Sequence, residues 1–252
     1  MRVIAKTGWQ LLLPVSIFVA WAVWTTANPA MFFPTPARIW EAFQSGYLGE
    51  GLVRHVLPSL ANLGLGLLIG VFAGLALGLI LGLSKTLDYL LQPILDFGRA
   101  MPPPAILPFA ILLLGVGYEM KVGLIAFGVM FPVLLNTIDG IRSLNSTMRA
   151  MTEVYRLPVG MRLFQVWLPA ASPQILAGFR TSLAIGLLLM VVSEMVASTQ
   201  GIGFFLLQSQ RTFAIPEMWA GMLLLAIIGV ALIAIFSAIE SRLLHWHIKS
   251  AK

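Results

Sequence analysis

Six long apolar runs dominate the sequence, and each carries few charged residues. They cover residues 9–27, 58–83, 93–114, 122–138, 175–197 and 218–239. A helix of about 20 residues crosses the roughly 30 Å hydrocarbon core of a bilayer, and a charge buried there costs several kcal/mol. Because 59% of the residues are hydrophobic and 10% are charged, no stretch suits a separate water-soluble domain. The sequence therefore predicts an all-α integral membrane protein with about six transmembrane helices.

The basic residues are distributed unequally among the loops between these runs. With the N terminus in the cytoplasm, ten lysines and arginines lie inside, and four lie in the outer loops, namely Arg38, Arg54, Lys121 and Arg211. The positive-inside rule therefore predicts that both termini are cytoplasmic. Arg2, Lys6 and the first run are also compatible with a cleavable signal peptide, but the further runs favour an uncleaved helix. The scattered basic residues lack the clustered aromatics of a nucleic-acid surface, so no nucleic acid is expected as a partner.

The loop after the first run contains the stretch "PARIWEAFQS". Its composition and its proline at the start allow a short amphipathic helix lying on the outer surface. A plain connector is the alternative for this loop.

Five glycines recur at every fourth position of the second run: Gly66, Gly70, Gly74, Gly78 and Gly82. This spacing places them along one face of a helix. In lipid, small residues promote helix association because they let two backbones approach closely. The stripe predicts a central helix packed against another helix, either within the subunit or across a dimer interface.

The third run combines an ion pair with a cluster of prolines. Asp96 and Arg99 are three residues apart and can pair on one helical turn. The prolines between residues 102 and 108, Pro104 among them, should kink or break the helix. Irregular backbone at membrane depth occurs where it is buried in protein or lines a wet cavity. This run is therefore expected to border a translocation pathway, with an ion pair near the cytoplasmic headgroups as the alternative for Asp96 and Arg99.

Glu194 is the other conspicuous charge, within the fifth run. It is predicted either to line the pathway or to form hydrogen bonds to a neighbouring helix. Catalysis and metal binding are not indicated, because His55 falls in an outer loop and His245 and His247 fall in the tail, away from the carboxylates. No catalytic residue, metal or cofactor is expected.

The segment between the fourth and fifth runs is basic and partly helical. Asn145 or Ser146 can cap a helix through "TMRAMTEVY", and "RLPVG" forms a turn before "MRLFQVW", which Pro169 should end. Two short helices with exposed apolar residues could dock into a groove on a soluble partner. A helix lying on the inner leaflet is the alternative.

Several ordered blocks resemble one protein family over nearly the whole chain. They are "FFPTPARIWEAF", "GLSKTLDYLLQPILDFGRAMPPPAILPFAILLLGVG", "FPVLLNTIDGIRS", "LPAASPQILAGFRTSL" and "SEMVASTQGIGF". Residues 166–169, "VWLP", match the end of the cytoplasmic EAA loop of bacterial ABC importer permeases. The chain is most similar to the nitrate, sulfonate, taurine and bicarbonate group of these permeases. It departs from the loop's pattern at residues 150–152, where "AMT" replaces Glu-Ala-Ala, and at Arg156, where glycine is usual.

This resemblance implies a type I ABC importer permease fold in the bacterial cytoplasmic (inner) membrane. It divides the chain into residues 1–56, with the first helix and outer loop, and a core permease domain at residues 57–252 with a coupling loop at 142–170. The ATPase-coupling residues are then expected to be Met148, Arg149, Met151, Thr152, Glu153, Val154, Tyr155, Arg156, Gly160, Val166, Leu168 and Pro169.

The resemblance also implies the partners. They are a second permease subunit, forming a homodimer, two cytoplasmic ABC ATPase subunits, an extracytoplasmic solute-binding protein and membrane lipids. ATP hydrolysis is expected on the separate subunit, because this chain lacks the GxxxxGK[ST] phosphate-binding loop. The expected solute is a small anion of the sulfonate, taurine or nitrate kind, with Arg99 as its intramembrane contact. A stand-alone channel or secondary transporter is the alternative.

Overall fold

The computed structural model describes residues 2–28 and 30–245, so His247 of the tail lies outside the described residues. Helices make up almost all of this part of the chain, as predicted. The helices are α1 (Arg2–Ala27), α2 (Pro36–Tyr47), α3 (Leu57–Leu83), α4 (Lys85–Ala100), α5 (Leu107–Leu114), α6 (Tyr118–Arg142), α7 (Ser146–Val154), α8 (Val159–Met161), α9 (Leu168–Val196), α10 (Ile202–Arg211) and α11 (Ile215–Leu243).

Four continuous helical stretches are long and apolar enough to cross a membrane: Leu52–Leu83, Tyr118–Arg142, Val159–Val196 and Ile215–Leu243. The pair formed by Lys85–Ala100 and Pro103–Leu114 meets the same test, with a bend of 91° between its halves. In α1 the apolar stretch Leu12–Ala27 is shorter. The structure thus supports four or five spans by length and composition, and the sixth span and the cytoplasmic termini stay predictions.

The parallel pair α3 and α6 forms the centre of the fold. A Cβ atom added to Gly66 would lie 2.5 Å from Ile125, and one added to Gly82 would lie 3.1 Å from Ile141. The contacts therefore advance together along both helices, which run in the same direction. All five glycines of the stripe are buried in this interface, within the subunit.

Helix α9 completes the central bundle and runs antiparallel to α6. Gly178 packs on the backbone of Pro132, and Ser182 donates a hydrogen bond of 2.9 Å to the carbonyl of Val129. The starts of α3, α6 and α11 and the end of α9 lie at one end of the bundle, called the α10 end. The opposite end is called the α7 end.

The broken pair α4 and α5 returns the chain from the α7 end to the α10 end. Asp88 is ion-paired with Arg142 at 2.7 Å, at the last residue of α6. Further along, Gly98 packs on Phe131, which lies near the middle of α6. Leu114 then lies 3.1 Å from a Cβ added to Gly123, near the start of α6. The pair therefore passes along the whole length of α6, and the predicted break at the prolines is confirmed.

Pro169 does not end a helix, contrary to the prediction. The helical stretch continues from Val159 to Val196, and Arg162–Trp167 immediately before Leu168 and Pro169 is a π-helical turn. Within it the Leu168 N–H bonds to the carbonyl of Leu163, five residues earlier. A proline has no N–H and displaces the carbonyl four residues before it, and the wider π turn absorbs both effects. The π turn Leu52–Val56 precedes Pro58 in the same way.

The amphipathic helix predicted in the loop after the first run is α2. Thr35 caps it and Pro36 begins it, while Ile39, Ala42 and Tyr47 are buried. Burial raises the pKa of the Tyr47 hydroxyl, so this group stays neutral. Helix α2 packs mainly on α11, at the α10 end.

Candidate functional site

A helical projection, which we call the knuckle, spans residues 145–167 at the α7 end. Its first helix begins as predicted, because the Asn145 side chain accepts a hydrogen bond of 2.9 Å from the Thr147 N–H. Helix α7 ends with two backbone bonds, from Leu157 N–H to the Thr152 carbonyl at 3.1 Å and from Arg156 N–H to the Glu153 carbonyl at 2.9 Å. This is the helix ending that usually has glycine at the position of Arg156.

Arg156 adopts a left-handed backbone conformation, with φ of 49°. Such a conformation costs a residue with a side chain about 1–2 kcal/mol. The turn favours glycine, the residue that the resemblance leads us to expect at this position, and the present chain forms the turn with an arginine under strain.

Trp167 holds the two helical parts of the knuckle together at the point where the knuckle continues into α9. The guanidinium groups of Arg149 and Arg162 lie 5.5 Å and 4.7 Å from the centre of its ring. Arg149 also donates a hydrogen bond to the carbonyl of Ile141 in α6. The knuckle therefore contacts α6 through Arg149 and continues directly into α9 after Trp167.

Several large apolar side chains of the knuckle are exposed. Val154 is 79% exposed and Tyr155 is 73% exposed, and Met151 and Phe164 are exposed as well. The other predicted coupling residues divide into three groups: Glu153, Arg156, Gly160 and Pro169 are exposed, Met148, Arg149, Val166 and Leu168 are half-buried, and Thr152 is buried.

Asp96 and Arg99 form the predicted ion pair, with 3.0 Å between Oδ1 and Nε. Their side chains are 48% and 55% exposed. Gly98 packs on Phe131, so the pair lies level with the middle of α6 rather than with its α7 end. Pro104 lies nearby and lines a small apolar cavity of about 270 Å³ together with Leu188 of α9.

Glu194 is fully buried and joins three elements at the α10 end. Its carboxylate accepts hydrogen bonds from Ser59 Oγ at 2.8 Å and Asn62 Nδ2 at 3.4 Å, both on α3. It also accepts one of 3.0 Å from the Gly203 N–H at the start of α10, where the helix dipole favours a negative charge. The predicted hydrogen bonds to a neighbouring helix are therefore present.

Gly201 makes this arrangement possible. Its φ is 114°, and a Cβ atom there would lie 2.5 Å from the Glu194 carboxyl carbon. The adjoining Ile202 N–H donates to Ser59 Oγ at 2.9 Å. The placement of His55 in an outer loop was wrong, because His55 is buried in the π turn before α3 and accepts a bond of 3.3 Å from the Gly201 N–H at Nδ1.

A polar cavity of about 630 Å³ opens beside this junction. It contains Lys121, which the sequence analysis assigned to the outer loops. In the structure Lys121 is only 8% exposed, and its Nζ donates a hydrogen bond of 2.7 Å to Ser198 Oγ. These residues are 77 positions apart, and no pattern in a single sequence pairs them. Among the described residues, no cluster of histidines and carboxylates is placed to hold a metal ion.

Comparison with known proteins gave one matching family model. The family described as "Binding-protein-dependent transport system inner membrane component" matches residues 52–245.

Two curated relatives cover most of the chain. One is the putative aliphatic sulfonates transport permease protein SsuC of Bacillus subtilis (strain 168), 33% identical over 96% of this chain and 89% of its own length. Another is the taurine transport system permease protein TauC of Escherichia coli (strain K12), 31% identical over 93% of this chain and 88% of its own length.

A solved structure shares the fold. It is an inward-facing form of the MetNI methionine ABC transporter, with a TM-score of 0.66 and 18% identity over 76% of this chain and 95% of that chain. The likeness confirms the predicted fold class.

Proposed function

The chain belongs to the family of binding-protein-dependent transport system inner membrane components, and on that premise we propose how it works as the permease subunit of an ABC importer. The knuckle receives the movement of a separate ATP-hydrolysing subunit. A passage beside α4 and α5 carries a small organic sulfonate inward. The stand-alone channel or secondary transporter is not favoured by these relatives.

The exposed knuckle is the observation that carries the coupling role. A group of exposed apolar side chains marks a surface that binds a protein partner or a membrane, and the knuckle exposes Val154 and Tyr155 together. A groove on a cytoplasmic ATPase would cover them, as in other helix-in-groove pairs. Because Trp167 joins the knuckle to α9 and Arg149 joins it to α6, closure of two ATPase subunits would rock these helices and shift the bundle between inward-open and outward-open states.

The Asp96–Arg99 pair supports the position of the passage. It lies half-exposed level with the middle of α6, where charges facing lipid would be costly. Protein or water must therefore cover this surface. We propose that a second copy of the chain faces it across a water-filled passage, so that two permease subunits form the importer with two ATPase subunits.

The solute is proposed from the relatives and from charge. The two curated relatives are named for aliphatic sulfonates and taurine, which carry a sulfonate group. Arg99 offers a cation to such a group part way along the passage. A solute-binding protein would deliver the solute at the α10 end, near residues 32–51 and 201–217.

The coupling role is tested by purifying the tagged chain from its own membranes. The triple variant Val154→Ala, Tyr155→Ala and Arg156→Ala should lose the co-purifying P-loop ATPase while the membrane domain stays folded and monodisperse. The matched control is Val53→Ala, a valine at the opposite end that is 64% exposed, against 79% for Val154. Retention of the ATPase by the triple variant would reject the knuckle as its docking site.

The solute is tested by uptake. Cells lacking this chain should lose high-affinity uptake of labelled taurine or ethanesulfonate and keep that of nitrate and riboflavin. Loss of nitrate or riboflavin uptake instead would reject the sulfonate assignment and leave the coupling role untouched.

A further inference from the structure

The polar cavity at the α10 end is built from four parts of the chain. Its wall includes Asn62 of α3, Gly117 of the loop before α6, Tyr118 and Lys121 of α6, and the junction of α9 and α10 with Ser198 and Gln200. These side chains present hydroxyl and amide groups as well as an ammonium group. The volume of about 630 Å³ exceeds what a small organic anion and a few waters occupy.

Lys121 supplies the charge of this wall. Of the described residues that line the cavity, Lys121 alone has a charged side chain. Burial of all but 8% of its surface removes most of the water that would otherwise solvate it. Its bond to Ser198 Oγ uses one of the three donors of the ammonium group, which leaves donors for a ligand.

Glu194 is not one of the residues that line the cavity and is buried behind them. Its carboxylate oxygens are occupied by Ser59, Asn62 and Gly203, and it does not line the cavity. Glu194 therefore offsets part of the burial cost of Lys121 without presenting its own negative charge to a ligand. A solute in the cavity meets the ammonium group first.

We propose that this cavity is an outer binding site for the sulfonate group of the solute, with Lys121 as its cationic contact and the side-chain amides of Gln200 and Asn62 as further donors, while Ser198 positions the Lys121 ammonium group. The biological meaning of the site rests on the proposed import of a sulfonate. The site would receive the solute at the α10 end before it reaches Arg99.

The wall is suited to both holding and releasing an anion. One side of it is α6, and the other is the α9–α10 junction, which Lys121 joins through Ser198. If the α9–α10 junction moves away from the start of α6, the ammonium group and the hydroxyl separate and the donors no longer converge. The site would then exist in one state of the bundle and be lost in the other.

The absence of cysteine in the chain provides a clean chemical test. A reporter thiol is introduced by Ala61→Cys in the cavity wall, in the purified permease–ATPase complex. Its reaction rates are measured with two methanethiosulfonate reagents, one bearing a sulfonate and one bearing a trimethylammonium group. The ratio of the two rates reports the local potential, since any change in thiol ionisation affects both rates equally.

Compared with a free thiol in solution, the rate ratio should be shifted in favour of the sulfonate reagent, and Lys121→Gln should lower that ratio by about tenfold or more. Millimolar ethanesulfonate should protect the thiol in the parent protein and fail to do so after Lys121→Gln. The neutral ethyl methyl sulfone should not protect. Ser45→Cys on α2, which lies outside the cavity, is the matched control and should show a ratio independent of Lys121.

Three results would overturn the proposal: an unchanged ratio after Lys121→Gln, equal protection by the sulfone, or a thiol unreactive towards both reagents at position 61 and also in Thr199→Cys. The test uses no transport. Sulfonate protection in a protein whose deletion leaves sulfonate uptake intact would therefore reject the proposed solute while retaining the site.

Discussion

The α3–α6 interface and the α4–α5 segment cross the same depth of the molecule in opposite ways. In the first, glycines bring two backbones so close that a Cβ atom at Gly74 would lie 2.6 Å from the carbonyl oxygen of Met130. In the second, prolines break the helix, bend it by 91° and leave an ion pair half-exposed. The close packing holds α3 and α6 together as one rigid unit, whereas few packing contacts prevent the α4–α5 segment from moving.

This difference assigns the two regions different roles. The closely packed α3–α6 pair, which we call the frame, is rigid. If one helix slid past the other, the backbone at the glycines of α3 would clash with side chains of α6 such as Val129 and Val133. We propose that the α4–α5 segment forms the adaptable wall of the passage. In this proposal the knuckle, which contacts α6 and continues into α9, moves the α3–α6 pair as one body while the α4–α5 segment adjusts.

The largest expected effect on stability comes from adding methyl groups inside the α3–α6 interface. Gly70→Ala with Gly74→Ala should destabilise the folded protein by about 2–6 kcal/mol, because each added methyl group meets backbone at 2.6 Å. Gly64→Ala is the matched control on the same helix, since a Cβ atom there meets nothing within 4 Å. Thermal unfolding in detergent measures the difference. Equal stability of the two variants would show that the interface is not rigid.

A smaller effect should separate coupling from folding. Trp167→Ala removes the ring on which two guanidinium groups rest and should cost about 1–2 kcal/mol of local stability. Uptake per ATP hydrolysed should then fall while ATP hydrolysis continues. Trp167→Phe keeps an aromatic face and should retain part of the coupling. A normal ratio of uptake to hydrolysis in Trp167→Ala would remove Trp167 from the connection between knuckle and frame.

Substitution of Arg99 tests whether the α4–α5 segment borders the passage. Arg99→Ala should lower sulfonate uptake by about tenfold, the loss of roughly 1.4 kcal/mol of interaction with the anion, and leave assembly with the ATPase unchanged. Arg99→Lys preserves the charge and should recover part of the uptake. Initial uptake rates and co-purification measure the two quantities. Unchanged uptake would place the passage elsewhere.

The smallest expected effect concerns the turn of the knuckle. Arg156→Gly should stabilise the turn by about 1 kcal/mol, because glycine adopts the φ of 49° without strain. Arg156→Ala removes the same charge but keeps the strained Cβ atom, so the pair isolates the backbone effect. Hydrogen exchange of the amides at residues 152–157 measures it. Faster exchange in the glycine variant than in the alanine variant would contradict this interpretation.

Much of the frame and of the knuckle could be predicted from the sequence because their causes are local. The four-residue spacing of glycines identifies the packed face of α3, and Asn145 and the prolines after Met101 mark a helix start and a break. The identity of the partner helix was not predictable, since the residues that meet the stripe, such as Ile125 and Val133, do not differ in kind from other apolar residues.

The errors have tertiary causes. Pro169 was expected to end a helix, but a π turn accommodates it inside one. His55 and Lys121 were placed in outer loops because each stands beside an apolar run, yet the junction of α9 and α10 folds over both. Their partners, Gly201 and Ser198, are distant in sequence, so the polar cavity appears only in three dimensions.

Reconstitution tests the central claim most directly, which is that the chain provides the passage and a separate ATPase provides the energy. Uptake of labelled ethanesulfonate is measured in vesicles that hold the purified chain and its binding protein, with the ATPase, with a hydrolysis-deficient ATPase, or with none. The account predicts ATP-dependent accumulation in the first case alone. Accumulation at full rate without any ATPase would contradict it.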